Sequence, residues 1–223
     1  MKHIFFCLPV IGMLIGCTST QPVKKQNAEC YVRYLAPEAQ LRAEVTIRES
    51  GAGQNALQPI TVPGGVRYQN MLMGAAIAPA GMYRVERTGG YTPHHVFAWT
   101  GSQNQACTFE IDLAPITAFA FDTDTLSRTA QAGFHWDGAP LQKGESLVFL
   151  WENVADGHAV PMEVIGMEGQ KSVTFPAAQL GKLSPGMWSL YLVRKKLVET
   201  DAAGTLVKGQ AEYYTQADTL VVR

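Results

Sequence analysis

The sequence has no marked excess of charge of either sign. Its 223 residues include 18 Lys and Arg and 19 Asp and Glu, which gives a net charge of −1. The basic runs Lys24-Lys25 and Arg194-Lys195-Lys196 are too short to form a polybasic surface. Because proteins bind nucleic acids chiefly through Lys and Arg contacts to phosphates, we expect no nucleic-acid partner.

The common catalytic and cofactor-binding motifs are also missing. The sequence has no Gly-x-Ser-x-Gly, no His-Glu-x-x-His and, beyond residue 16, no Ser-x-x-Lys. Pro63-Gly64-Gly65 lacks the spacing and the Lys of a phosphate-binding loop. We therefore predict that the protein is not an enzyme and that it binds no cofactor.

Two polar clusters offer weaker alternatives. His94 and His95 are adjacent, and neighbouring strand residues point to opposite faces, so they do not bind one metal ion together without a bend. A metal site would need His135 or His158 from the other half of the chain. Asp122 and Asp124 are about 7 Å apart on an extended strand, a spacing compatible with an inverting glycosidase but also typical of a turn. We expect neither a metal site nor a glycosidase.

The first residues combine a cationic start, Met1-Lys2-His3, with an apolar run over residues 4–15. The run has the length of a signal-peptide core and is too short to span a bilayer. It ends in Leu14-Ile15-Gly16-Cys17, which resembles the lipobox of bacterial lipoproteins. The resemblance implies that residues 1–16 are a cleaved signal peptide. It also implies that Cys17 becomes the first residue of the mature protein and carries acyl chains such as palmitate.

The residues that follow Cys17 imply a location within this family. An Asp directly after the Cys holds enterobacterial lipoproteins at the inner membrane, and here that residue is Thr18. An acidic cluster at this place marks surface export in some other lineages, but no acid occurs before Glu29. The resemblance thus implies a lipid anchor in the outer membrane, facing the periplasm. Residues 17–28 form the lipidated tether.

Of the four cysteines, two belong to the signal peptide and the lipidation site, and two belong to the part of the chain that is predicted to fold. Cys7 leaves with the signal peptide and Cys17 carries lipid, so Cys30 and Cys107 remain in an oxidising compartment that permits disulfides. Both share the parity of apolar neighbours in predicted strands, which directs both thiols inward. We expect a disulfide between Cys30 and Cys107; two buried free thiols are the alternative.

Apolar residues alternate with polar ones at period two through most of the chain, and helical periodicity is nearly absent. The clearest strand is residues 41–48, and Pro115 separates two groups of such segments. Before Pro115, the other predicted strands are 60–62, 66–69, 82–87, 95–100 and 108–113, with 69–78 either a strand or a short helix. After Pro115, they are 116–121, 129–136, 145–151, 160–165, 172–175, 187–193, 205–208 and 212–223.

Residues 172–194 resemble the corner between strands E and F of bacterial immunoglobulin-like domains. A strand stops at Pro176, a short helical turn contains Leu180 and Leu183, and the strand after Pro185-Gly186 carries Tyr191. The resemblance implies an immunoglobulin-like sandwich, and about seven short strands fit that fold. We predict an all-β protein of two β-sandwich domains, 29–114 and 115–223, of which the second is immunoglobulin-like.

These observations predict a non-enzymatic envelope lipoprotein that acts as an interaction or scaffold module. The alternative is a carbohydrate-binding accessory lipoprotein of a glycan-uptake system, which needs exposed aromatic side chains. Trp136 precedes Asp137-Gly138 at a predicted turn, so it is the candidate for stacking on a sugar ring. A third hypothesis is strand addition to an exposed edge at residues 212–223.

Overall fold

The computed structural model describes residues 25–51, 56–77 and 80–223. The predicted signal peptide, Cys17 and the tether up to residue 24 lie outside the described residues. The regular secondary structure of the described residues consists of β-strands and one helix, α1, at Ala177–Leu180. Within these ranges, no helix has the length and hydropathy to cross a membrane.

The first nine strands, with one later hairpin, form a two-layer sandwich. Their bounds are β1 Gln26–Leu35, β2 Gln40–Ser50, β3 Leu57–Pro59, β4 Val66–Tyr68, β5 Met71–Leu72, β6 Gly74–Ala75, β7 Met82–Thr88, β8 His94–Thr100 and β9 Ala106–Asp112. One layer is the four-stranded sheet β5-β4-β8-β9. The other layer contains β1, β2, β7 and β6 and belongs to the large sheet of the molecule. Val32, Val45, Phe97 and Phe109 meet in the core between these layers.

The remaining strands form a second sandwich with immunoglobulin-like topology. Their bounds are β10 Ile116–Phe121, β11 Thr125–Leu126, β12 Ala132–Gly138, β13 Glu145–Asn153, β14 Ala159–Val164, β15 Ser172–Phe175, β16 Gly186–Ala202, β17 Thr205–Tyr214 and β18 Asp218–Val222. The order β10-β12-β15 corresponds to strands A, B and E, and β14-β13-β16-β18 corresponds to C′, C, F and G. Trp151 on strand C is buried, as in that fold.

Strand β16 is shared between the two sandwiches. Its first half pairs with β13 and β18 in the second sandwich, and Val193–Ala202 pairs with β17. Strand β17 then lies parallel to β1, from the Gln26–Thr205 pair to the Leu35–Tyr214 pair. The hairpin between the F and G strands of the second sandwich is therefore an integral part of the first. It makes the large sheet continuous through the molecule.

The buried side chains form two clusters that follow this arrangement. One contains residues from Ala28 to Leu113 together with Ala202, Val207, Ala211 and Tyr213 of the hairpin. The other contains residues from Ile116 to Leu192 and Val222. Apart from the β16–β17 hairpin, which contributes to the first cluster, the first cluster ends at Leu113 and the second begins at Ile116.

Most predicted strands are present, and the differences lie in the connections. Residues 60–62 are not a strand, and 69–78 contains the two short strands β5 and β6. The segment predicted to end at Val193 continues to Ala202. Residues 212–223 are not one terminal strand, because Glu212 belongs to β17 and the chain ends with β18. β17 is paired along its length with β16 and β1, and β18 is paired with β16 and, at Val221 and Val222, also with β11. The uninterrupted exposed edge predicted for residues 212–223 is therefore not present.

The predicted disulfide is absent, because Cys30 and Cys107 are both buried and free. Cys107 Sγ lies 3.7 Å from the hydroxyl of Thr205, which is paired with Gln26 on β1. Cys30 is four residues further along β1, about 13 Å at the rise of a strand. A disulfide needs Cα atoms within about 7 Å. The two thiols therefore point into the same core, but they lie at different positions along the strands and are too far apart to form a disulfide. Burial raises the pKa of the Cys30 thiol.

Candidate ligand-binding face

The outer surface of the large sheet carries a tyrosine on each of three neighbouring strands. Tyr31 on β1 and Tyr214 on β17 alternate with buried residues and are themselves only half-buried. Tyr191 on β16 has the same orientation, because Leu190 and Leu192 on either side of it are buried in the second core. We use the name tyrosine face for this surface, defined by Tyr31, Arg33, Tyr191, Lys195, Glu212 and Tyr214.

Glu212 lies at the centre of the tyrosine face and accepts three hydrogen bonds. The donors are the Tyr31 hydroxyl at 2.6 Å, the Tyr214 hydroxyl at 3.1 Å and the Gln210 amide at 2.6 Å. Burial, followed by the charge of Glu212, raises the pKa of Tyr214 to about 12. Burial, assisted by the hydrogen bond to Glu212, raises the pKa of Tyr31. Both hydroxyls therefore stay protonated, and the Glu212 carboxylate is fixed by neutral donors.

Two concavities lie at either end of this network. A groove of about 480 Å³ is lined by residues that include Tyr31, Glu44, Leu197 and Gln210. A pocket of about 290 Å³ lies where the two sandwiches meet and is lined mainly by apolar and aromatic side chains. Its lining residues are Leu35, Pro37, Glu38, Tyr191, Tyr214, Thr215 and Ala217.

The pocket has two aromatic walls. The rings of Tyr191 and Tyr214 are tilted by 32°, with centroids 6.5 Å apart. Leu35 is paired with Tyr214 across β1 and β17, and it extends the apolar surface. Open aromatic walls of this kind can pack against the apolar face of a ligand, while their hydroxyls remain beside polar groups.

Two basic residues flank Glu212 without forming an ion pair with it. Arg33 is opposite Glu212 across β1 and β17, and Lys195 is opposite it across β17 and β16. The Arg33 Nε atom is buried and has no hydrogen-bond partner. Arg33 lies close enough to both Tyr31 and Tyr214 to act on their pKa values, in the lowering direction. The tyrosine face thus carries two basic side chains on either side of one carboxylate, and Arg33 lies near Tyr214, one of the aromatic walls.

Elsewhere on the same sheet the charges are paired. Glu44 accepts from Arg42 and Arg84, the latter at 2.6 Å, and Arg48 lies 2.6 Å from Glu29. These pairs are partly exposed, so each contributes at most about 1 kcal/mol to stability. They contrast with Arg33, for which such a carboxylate partner is not present among the described residues.

The histidine and acid pairs singled out in the sequence lie apart from this face. His94 is exposed and His95 is fully buried, which confirms that they point to opposite sides of β8. His94 binds Asp112 at 2.7 Å. Asp122 is an exposed turn residue 3.4 Å from His135. No cluster of three or more possible metal ligands occurs in residues 25–51, 56–77 and 80–223.

Trp136 is not an exposed stacking residue, so that prediction is wrong. It is only 2 % exposed and belongs to the second core. It shares the inward parity of Phe134 on β12, and its indole N–H donates to the Ala139 carbonyl at 3.3 Å. The following turn reverses the chain while the ring itself lies beneath it. The alternation of Trp136 with Phe134 in the sequence is the feature that could have indicated its burial.

Sequence reasoning did not identify the tyrosine face. The parity of Tyr31 and of Tyr191 in their strands indicates which side of a sheet each occupies, but not which strands are neighbours. Only the return of β17 beside β1 brings the three tyrosines together. No protein-family model and no curated protein match this chain.

Proposed function

We propose that the protein is a non-enzymatic envelope lipoprotein that binds a partner through the tyrosine face. The observation that supports this proposal best is the combination of two half-buried aromatic rings, an adjoining groove and a basic pair on one continuous sheet. Such surfaces, in which aromatic and Arg residues predominate, are typical of binding sites.

The anchoring part of the proposal rests on the sequence. Cys17 would be lipidated, and the protein would reside at the outer membrane, facing the periplasm. Strand β1 begins nine residues after Cys17, at Gln26, and runs about 30 Å to Leu35. The anchored end would then be the Gln26 end of the first sandwich. The pocket at Leu35 would lie away from the bilayer, where a periplasmic partner can reach it.

The anchor is tested by expression in a Gram-negative host with an alkyne-labelled palmitate analogue. Label on the wild-type chain, and none on Cys17→Ser, is the expected result. Equal labelling of both would contradict lipidation at Cys17. Fractionation of the labelled membranes then shows whether the protein is at the inner or the outer membrane.

Partner binding is tested by crosslinking in intact cells followed by mass spectrometry. The Tyr191→Ala/Tyr214→Ala variant should lose the crosslinked partner. Met71→Ala is the matched control, since it removes an exposed apolar side chain from the opposite sheet. If the tyrosine variant retains the wild-type crosslinks, the tyrosine face is not the interaction site.

A carbohydrate-binding accessory function is the second candidate. It is supported by the Tyr191–Tyr214 pair, whose ring faces line an open pocket next to the Glu212 network. In this function Tyr191 and Tyr214 replace Trp136 as the stacking residues. A glycan array probed with the full-length protein and with Tyr214→Ala distinguishes this function from a protein scaffold.

A further inference from the structure

We propose that the tyrosine face binds an acidic carbohydrate, with its carboxylate at Arg33 and Lys195 and its ring against Tyr191 and Tyr214. This inference rests on the proposed binding function and names the chemical class of the ligand. It is carried by the unpaired basic residues of the face, which the aromatic pair alone would not require.

Arg33 is the first reason for an anionic ligand. Its Nε is buried without an acceptor, which is unfavourable, and within the described residues the guanidinium forms no ion pair, so it is available to a ligand. The planar guanidinium matches a carboxylate better than a hydroxyl, because it can donate two parallel hydrogen bonds. Arg42, its neighbour across β2, is already held by Glu44, so Arg33 is the available partner.

The state of Glu212 is the second reason. This carboxylate would repel an anion or capture Arg33, but it is held by Tyr31, Tyr214 and Gln210 instead. Hydrogen bonds from these neutral donors do not remove the charge of Glu212, but they occupy both of its oxygens and leave Arg33 and Lys195, on the two flanking strands, without an ion pair to it. The three side chains together keep a single net positive charge for a ligand carboxylate.

The pocket fits a sugar better than an extended peptide. Its volume of about 290 Å³ is near the lower end for small-ligand sites. It is bounded by two aromatic faces rather than by an open strand edge, and β17 and β1 on either side are fully paired. Arg33 and Lys195 do not line this pocket, but Arg33 is near enough to Tyr214 to lower its pKa, so a ligand carboxylate has to extend past the Tyr214 ring to reach Arg33.

Glu38 is the one acidic residue that lines the pocket, and it is exposed. Its negative charge is unfavourable for an anionic ligand, so removal of this charge should affect acidic and neutral ligands differently. Glu38→Gln should strengthen binding of the acidic sugar about two- to threefold and leave a neutral sugar unaffected.

The experiment measures binding of a galacturonic acid tetramer to the full-length protein in detergent micelles by calorimetry. The comparison ligand is the same tetramer with its carboxylates reduced to hydroxymethyl groups. We expect the acidic tetramer to bind at least about tenfold more tightly, and Arg33→Gln to abolish that difference. Arg48→Gln is the matched control, because it removes one positive charge from the same sheet far from the pocket.

Three outcomes would overturn the proposal. They are equal binding of the two tetramers, no binding of either, and equal losses in Arg33→Gln and Arg48→Gln. Circular dichroism of each variant establishes that it is folded. If neither tetramer binds while the Tyr191→Ala/Tyr214→Ala variant still loses its crosslinked partner, the binding function stands and the partner is a protein. If both tests fail, the tyrosine face has no binding role.

Discussion

Arg194 and Glu145 form a fully buried ion pair where the two sandwiches meet. Their side chains are 0 % and 1 % exposed, and Arg194 Nε donates to Glu145 Oε2 at 3.0 Å. Arg194 also donates to the carbonyls of Ala139 and Pro140 at 2.9 and 2.7 Å. Along the inward face of β16, Arg194 lies between Leu192 of the second core and Val198, which packs against the first. The pair therefore fixes the connection before β13 to the shared strand.

Removing one partner of this pair should be strongly destabilising. Arg194→Met leaves the Glu145 carboxylate buried, and we expect it to lower the free energy of unfolding by about 3–5 kcal/mol. Urea denaturation measures this loss. Lys196→Met is the control, since Lys196 lies 3.8 Å from the other oxygen of Glu145 and is more exposed; it should cost about 1 kcal/mol or less. In Arg194→Met/Glu145→Leu much of the loss should be recovered. A loss below about 1 kcal/mol in Arg194→Met would contradict this role.

The close approach of Gly209 and Phe109 holds the hairpin against the opposite sheet. A Cβ atom on Gly209 would lie 2.1 Å from the Phe109 ring, closer than any real contact. Gly209→Ala must therefore displace the ring, and we expect a loss of about 1–3 kcal/mol in thermal or urea unfolding. Gly90→Ala is the control, because nothing lies within 4 Å of its Cβ position. If Phe109→Leu in the Gly209→Ala background does not restore part of the loss, ring displacement is not the cause.

The two-residue turn of the same hairpin holds an alanine in an unfavourable backbone conformation that a substitution can relieve. Ala203 and Gly204 have φ values of 52° and 82°, the pattern of a two-residue turn with both central residues left-handed. Alanine is disfavoured there, whereas asparagine tolerates this conformation. We expect Ala203→Asn to raise the free energy of unfolding by about 0.5–1 kcal/mol and Ala203→Val to lower it. Differential scanning calorimetry measures both, and equal effects of the two variants would show that the turn is unstrained.

The same hairpin shows which features of the fold could not be predicted from the sequence. Alternation predicted β2 and β8 because each has one face in a core and a more exposed opposite face. An unbroken apolar run over residues 147–151 predicted β13, where both faces are largely covered. After Val193, however, the sequence turns to Arg194-Lys195-Lys196, which resembles the end of a strand. The strand continues to Ala202 because it pairs with β17, and the buried Arg194 is bound by Glu145, a residue 49 positions away that no local pattern reveals. Long-range pairing of charges cannot be read from periodicity.

The same limit explains the candidate site. Inward parity was predicted correctly for Cys30 and Cys107, yet a disulfide also requires the same level along the strands, which depends on register. Alternation in residues 187–193 is enough to place Tyr191 on the face opposite Leu190, but its neighbour Tyr214 comes from a strand whose place beside β1 follows from the shared hairpin. The short helical turn after Pro176 could be predicted because it is local: α1 lies at Ala177–Leu180, and Leu180 and Leu183 are both buried.

His95 makes stability depend on pH. The residue is fully buried, and burial lowers its pKa to about 4. Tyr91 donates to the Leu113 carbonyl, so His95 Nε2 must donate to the Tyr91 oxygen, and Nδ1 accepts from Tyr68 at 2.7 Å. Both ring nitrogens are used by the neutral imidazole. A proton added at Nδ1 places a charge in the core.

The sign of the pH effect follows from this lowered pKa. Between pH 6.5 and 4 the unfolded chain binds a proton at this histidine that the folded chain does not, so stability is full above pH 6.5 and falls as the pH drops toward 4. The loss attributable to His95 is on the order of 3 kcal/mol. Urea denaturation from pH 7.5 to 4 should show this slope in the wild type and in His158→Gln, which removes an exposed histidine of the second sandwich. His95→Gln should be less stable at pH 7.5 but have a flatter profile. An unchanged slope in His95→Gln would assign the pH dependence to the surface carboxylates instead.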